Sequence, residues 1–301
     1  MGHAAHPAVG HAGERHRWRL ALAFGLIAAF FVVELVYGVL SGSLALISDA
    51  GHMAADVVAL GAALLATRIA TRVDTTGRRT YGSYRAEVFA SLLAVLLMLG
   101  ASAFVFIAAV GRLGSPAEIA AQPILIVGAI GIVLNVAVLL MLRAGAGESL
   151  NVKGAYLEVV ADTASSVGVL VAGLLIAVTG ASIWDSIVAL GIGLFVVVRA
   201  LSLGRQVLAV LAQHVPAGID PDSVAADLQE VEGVQSVHDL HLWTLTSGMH
   251  VATVHLVTGD LADSHGVLDR ARELLRSRHG IAHATLQIEP ADHQGCAELG
   301  W

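Results

Sequence analysis

The chain has 301 residues, 56% hydrophobic and 14% charged, with mean hydropathy +0.76 and formal net charge −7. Soluble domains carry roughly 25% charged residues, so a wholly soluble protein is excluded. Only 17 Lys and Arg are present, with no dense basic run, which argues against nucleic acid as a partner. The single cysteine, Cys296, excludes an intrachain disulfide.

Residues 1–18 form a tail containing His3, His6, His11 and His16, read equally as a metal-scavenging arm or a solvated extension. Six apolar segments follow, at about 19–40, 44–66, 87–111, 121–142, 155–179 and 183–204. Each approaches or exceeds the ~20 residues needed to cross a bilayer core. The first lacks a small-residue cleavage site and is followed closely by a second, so it is not a signal peptide. Arg15, Arg17 and Arg19 precede the first span. Arg68, Arg72, Arg78, Arg79 and Arg85 separate the second from the third, Arg143 and Lys153 bracket the fourth loop, and Arg205 follows the sixth. The opposite loops hold Arg112 and little else that is basic. The positive-inside rule then predicts a multi-pass protein with both termini cytoplasmic, and the expected location is the cell's inner (plasma) membrane.

Ionisable residues inside apolar spans are expensive and mark solute sites. Span two carries His52 and Asp56, and span five carries Glu158 and Asp162. Each pair has i,i+4 spacing, which places both side chains on one helix face. Facing each other, they would supply one nitrogen and three carboxylates, a set suited to Zn²⁺ and compatible with Co²⁺, Cd²⁺ or Mn²⁺. Gly51, Ala54 and Ala55 keep span two slim, for close approach by span five. Asp49 shares the stripe of His52 and Asp56. It either accepts from His52, relays protons or hydrates the exit path. Glu34 and Asn135 are read as interhelical hydrogen-bonding groups or as lining for a wet cavity, and Asp185 as interfacial. An empty site with three neighbouring carboxylates cannot keep them all charged cheaply and so holds protons, which an arriving divalent cation displaces. No ATP-binding G-x-x-x-x-G-K-[ST] run is present, so ion gradients supply the energy.

Residues 212–301 carry 4 basic and 13 acidic groups and nine of the 14 histidines. Within 212–293 the pattern predicts a helix at 221–231, strands at 237–245 and 250–257, a helix at 264–278 and a strand at 284–288. This αββαβ order makes a small α+β, ferredoxin-like domain. At about 80 residues it is marginal alone, which favours pairing with a second copy. Its strands carry His238, His241, His255, His283 and Glu289. Strict alternation places His241 on the opposite face from His238. The group is read as a regulatory metal site. Asp292, His293 and Cys296 form a loose further set, the last of them in a tail at 294–301.

The stretches SGSLALISDAGHMAAD (41–56), YGSYRAEVFA (81–90), NVKGAYLEVVADTASSVG (151–168), HDLHLWTLTSG (238–248) and TLQIEP (285–290) resemble the zinc-transporting cation diffusion facilitators. The resemblance spans nearly the whole chain. It implies a homodimeric exporter of divalent cations by proton antiport, six spans at 19–208, and a metallochaperone-like cytoplasmic domain. It implies that His52, Asp56 and Asp162 hold three transport-site positions, and that Glu158 stands where the zinc pattern has histidine. It further places cytoplasmic ligands at His238, His255, His283 and Glu289, with His265 as an accessory. In the loop after span two Asp74 is present without a histidine, so the loop metal site of some relatives is expected to be absent; Arg85 and Glu87 are expected to tie that loop to helix ends. No organic cofactor and no catalytic metal motif is present, so an enzyme is not expected. A passive cation channel and a non-transporting metal sensor are the competing readings.

Overall fold

The computed structural model describes residues 11–70, 80–112, 119–146, 150–246, 248–259 and 263–291. His3, His6, Asp74, Asp292, His293 and Cys296 lie outside them, as do the side chains of His11 and His16. The chain divides into two compact units, Met1–Leu64 with Ala90–Leu203, and Leu65–Phe89 with Gly204–Trp301.

The first unit is helical. Its elements are α1 (His11–Ser41), α2 (Leu44–Ala70), α3 (Ala86–Arg112), α4 (Ala121–Ala146), α5 (Leu150–Thr179) and α6 (Ile183–Leu211). Among the described residues five helices, α1 and α3–α6, are long and apolar enough to cross a membrane; α2, which carries His52, is itself 27 residues long. Large apolar side chains such as Leu40, Ile107, Val133 and Val178 point outward, more than 60% exposed, as lipid-facing residues must. Small residues line the helix contacts instead. A Cβ on Gly51 would fall 2.7 Å from the Ala101 methyl, so at Gly51 α2 closes on α3. This close approach replaces apolar bulk with backbone packing, the usual means of association in lipid.

Asp185, read from the sequence as interfacial, has a structural role that the sequence did not show. It is fully buried at the start of α6 and serves the N-terminus of another helix. Ser43 Oγ donates to it at 2.5 Å, and the Leu44 and Ala45 amides at 2.6 and 3.1 Å. Arg112 of α3 approaches it at 3.3 Å. The first amides of a helix have no intrahelical acceptor, and a carboxylate there also meets the positive end of the helix dipole. Three helices are thus tied at one point. Gly42, at φ 66°, makes the tight turn that delivers the chain into α2.

The second unit contains α7 (Pro221–Gln229), β1 (Val234–Thr246), β2 (Met249–Thr258), α8 (Ser264–His279) and β3 (His283–Pro290), in the order the sequence predicts. The sheet order is β1-β2-β3, with β1–β2 antiparallel and β2–β3 parallel through the α8 crossover. Val224 and Leu228 of α7 and Val267, Ala271 and Leu275 of α8 pack on Leu242, Val254 and Leu256. Asp220 caps α7 by accepting from the Ser223 hydroxyl at 2.7 Å and amide at 3.3 Å, which holds its carboxyl below the usual range. In the same unit Thr246 donates to Glu87 at 2.7 Å, so Glu87 ties the start of α3 to the end of β1.

Strict alternation fails on β1. His238 pairs with His255, but His241 pairs with Thr253, so three steps on β1 match two on β2. Asp239, at φ 52°, is the extra residue. A bulge of this kind inverts side-chain parity. His241 therefore shares the face of His238, and the odd-separation argument does not hold here.

Candidate metal sites

In the helical unit, His52 is fully buried and Asp162 is 3% exposed. His52 Nε2 stands 3.6 Å from Asp56 Oδ2 and 3.4 Å from Asp162 Oδ1. One ligand atom from each of the three lies within 4.8 Å of the others. Two helices bring them together, α2 through its i,i+4 pair and α5 through Asp162. Buried oxygens of Asp56 and Asp162, and His52 Nδ1, have no hydrogen-bond partner. Unpaired buried polar atoms are costly, and the unpaired Asp56 and Asp162 oxygens both lie close to His52 Nε2, so these three residues could hold a cation.

Glu158, one turn before Asp162, is engaged differently. It is ion-paired with Arg199 of α6, and Arg199 Nη1 also donates to His52 Nε2 at 2.8 Å. Phe195, one turn earlier on α6, presents its ring to His52 edge-on, centroids 6.3 Å apart. Arg199 was missed in the sequence reading. The signal that finds it is plain: an arginine inside the sixth apolar span, which by itself marks a functional position.

Asp49 and Glu34 are each 1% exposed, and each has one carboxylate oxygen without a partner. Asn135 of α4 donates to Ser166 of α5 at 3.2 Å, an interhelical hydrogen bond as expected.

In the second unit, His238, His255 and Glu289 converge within the same 4.8 Å limit. Glu289, 4% exposed, reaches His238 Nε2 at 3.3 Å and His255 Nδ1 at 2.9 Å. Asp239 stands 3.6 Å from His255 Nε2 and 2.9 Å from His241. Two imidazoles and a buried carboxylate match the donor set of a borderline cation such as Zn²⁺. His283 is not brought to this group. It pairs with Val251 at the far end of β2, four residues from His255 and so about 13 Å along the strand. Its ring instead meets Tyr81, centroids 5.7 Å apart. His265 is exposed at the start of α8.

Apolar helices around a buried His/Asp cluster, in a chain whose small second unit carries a His/Glu cluster, are the features of a membrane carrier of metal ions. Comparison with known proteins gives the family. Residues 20–212 match the cation efflux transmembrane domain, and residues 216–291 the cytoplasmic domain of cation efflux proteins. The metal cation efflux system protein CzcD of Cupriavidus metallidurans is 40% identical over 93% of this chain and 89% of its own. A cadmium, cobalt and zinc/H(+)-K(+) antiporter of Bacillus velezensis is 32% identical over 94% and 91%. The zinc transporter ZitB of Pectobacterium atrosepticum is 33% identical over 90% and 85%. The chain belongs to the cation efflux family, the cation diffusion facilitators. It is a multi-pass membrane transporter of metal cations, not an enzyme, and its cytoplasmic domain is the family's dimer-forming module, so it acts as a homodimer.

Proposed function

We propose that the protein exports Zn²⁺, with Co²⁺, Cd²⁺ and Mn²⁺ as further cargo, from the cytoplasm in exchange for protons. Transport proceeds by alternating access of a site made by His52, Asp56, Glu158 and Asp162. The observation that carries this reading is the group of buried, unpaired ligand atoms on α2 and α5, set among apolar helices. Relatives named as a cadmium, cobalt and zinc/H(+)-K(+) antiporter and as a zinc transporter support the cargo and the coupling. In this reading α2 is the sixth span within 19–208. Both termini and the ferredoxin-like domain at 212–293 are cytoplasmic, and the membrane is the cell's inner membrane. His238, His255 and Glu289 form a regulatory metal site. Asp49 and His265 are accessory.

The test is Zn²⁺ flux with simultaneous proton flux in proteoliposomes, comparing wild type with Asp162→Asn. The expected result is proton-coupled flux in wild type, abolished in the variant while the dimer persists. Flux indifferent to the proton gradient identifies a passive channel, and metal binding without flux a sensor. Wild-type flux in Asp162→Asn overturns the site assignment.

A further inference from the structure

We propose that Arg199 is a built-in stand-in for the transported cation, which metal must displace to enter the site. This deepens the transport-site reading above and rests on it.

Three facts carry it. First, the guanidinium engages two of the four proposed ligands at once, His52 Nε2 at 2.8 Å and the Glu158 carboxylate. These are the atoms a metal would need. Second, the arginine comes from α6, a different helix from both ligand pairs, so its contact is made or broken by movement between helices. Third, the remaining ligand atoms, on Asp56 and Asp162, stay unpaired beside it. Arg199 thus covers the half of the site made by His52 and Glu158 and leaves the half made by two aspartates open.

The chemistry is that of competition. Guanidinium is planar, permanently charged and presents donors on two separate nitrogens, so it holds an imidazole nitrogen and a carboxylate at once in a fixed geometry that a single ammonium nitrogen matches less well. Without cargo, it cancels part of the like charge of three carboxylates. A divalent cation first meets the two open aspartates. It then gains His52 and Glu158 only as Arg199 withdraws. In reverse, the return of Arg199 takes those two ligands back and favours release. A placeholder of this kind raises the dissociation constant and speeds turnover. Phe195, whose ring centroid lies 6.0 Å from the guanidinium carbon, offers a surface against which the withdrawn group can rest.

The experiment is Zn²⁺ binding by calorimetry to the purified full-length dimer, in a His238→Ala/His255→Ala background that silences the cytoplasmic site. Arg199→Gln is expected to tighten binding about tenfold or more, the order of removing one charge-assisted competitor. Arg199→Lys, a point charge that bridges both ligands less well, is expected to fall between. Added methylguanidinium is expected to weaken Zn²⁺ binding to Arg199→Gln and not to the parent. A merely structural arginine would leave affinity unchanged or weaken it in both variants, with no response to methylguanidinium, and that result overturns the proposal. Asp162→Asn in the same background separates the two ideas. If it fails to weaken binding, the transport-site reading falls. If it weakens binding but Arg199→Gln does not tighten it, the stand-in alone falls.

Discussion

Replacing Asp185 with alanine removes the common acceptor of Ser43, Leu44, Ala45 and Arg112. The two backbone amides matter most. They belong to the first turn of α2 and have no carbonyl of their own helix to turn to. A buried donor left unpaired costs roughly 1–3 kcal/mol, so two of them cost about 4 kcal/mol. The Ser43 hydroxyl rotates to another acceptor, and Arg112, 23% exposed, adds little. At roughly 2–4 °C per kcal/mol for a protein of this size, the apparent Tm falls by about 8–16 °C. Asp185→Asn retains one carbonyl oxygen and should lose about half as much. The assay is size-exclusion recovery of the detergent-solubilised dimer after a heating series. A fall of less than about 3 °C for Asp185→Ala would show that water or lipid headgroups satisfy those amides, and that the carboxylate does not hold the three helices together.

Two further outcomes follow from the sites. Glu158→His exchanges a hard oxygen ligand for a softer nitrogen. It should raise the ratio of Zn²⁺ to Mn²⁺ flux by about tenfold, the order of a change around one metal ligand; an unchanged ratio means selectivity is set elsewhere. His238→Ala with His255→Ala should remove one tight Zn²⁺ equivalent from the full-length protein and weaken flux more at low than at saturating metal. Equal loss at every concentration would show that the soluble site does not regulate entry.

The sequence displays the proposed ligands more readily than their partners. His52, Asp56 and Asp162 were legible because i,i+4 spacing on a helix is a local rule, and polar residues in an apolar run are conspicuous. The order of α7, β1, β2, α8 and β3 was legible for the same reason. Features that join distant segments were not. The grip of Arg199 on His52 and Glu158 depends on which face of α6 meets α2 and α5. The role of Asp185 depends on α2 beginning beside it, 141 residues earlier for the Leu44 amide. The bulge at Asp239 is a single residue with positive φ, and no alternation pattern reveals it. It moves His241 to the face that parity denied it. His283 satisfies the same alternation as Glu289, but register sets it at the other end of the strand.

The knot at Asp185 gives α2 a fulcrum at its first turn; farther along, Arg199 of α6 holds His52. His52 lies eight residues from Leu44, about 12 Å along the axis, and Leu64 about 30 Å. A tilt of about 10° about the clamp therefore carries His52 only ~2 Å but Leu64 ~5 Å. Such angular play at the clamp shifts His52 relative to α5 and to Arg199 by about the distance that separates a hydrogen bond from none, while positions near Leu64 sweep more than twice as far.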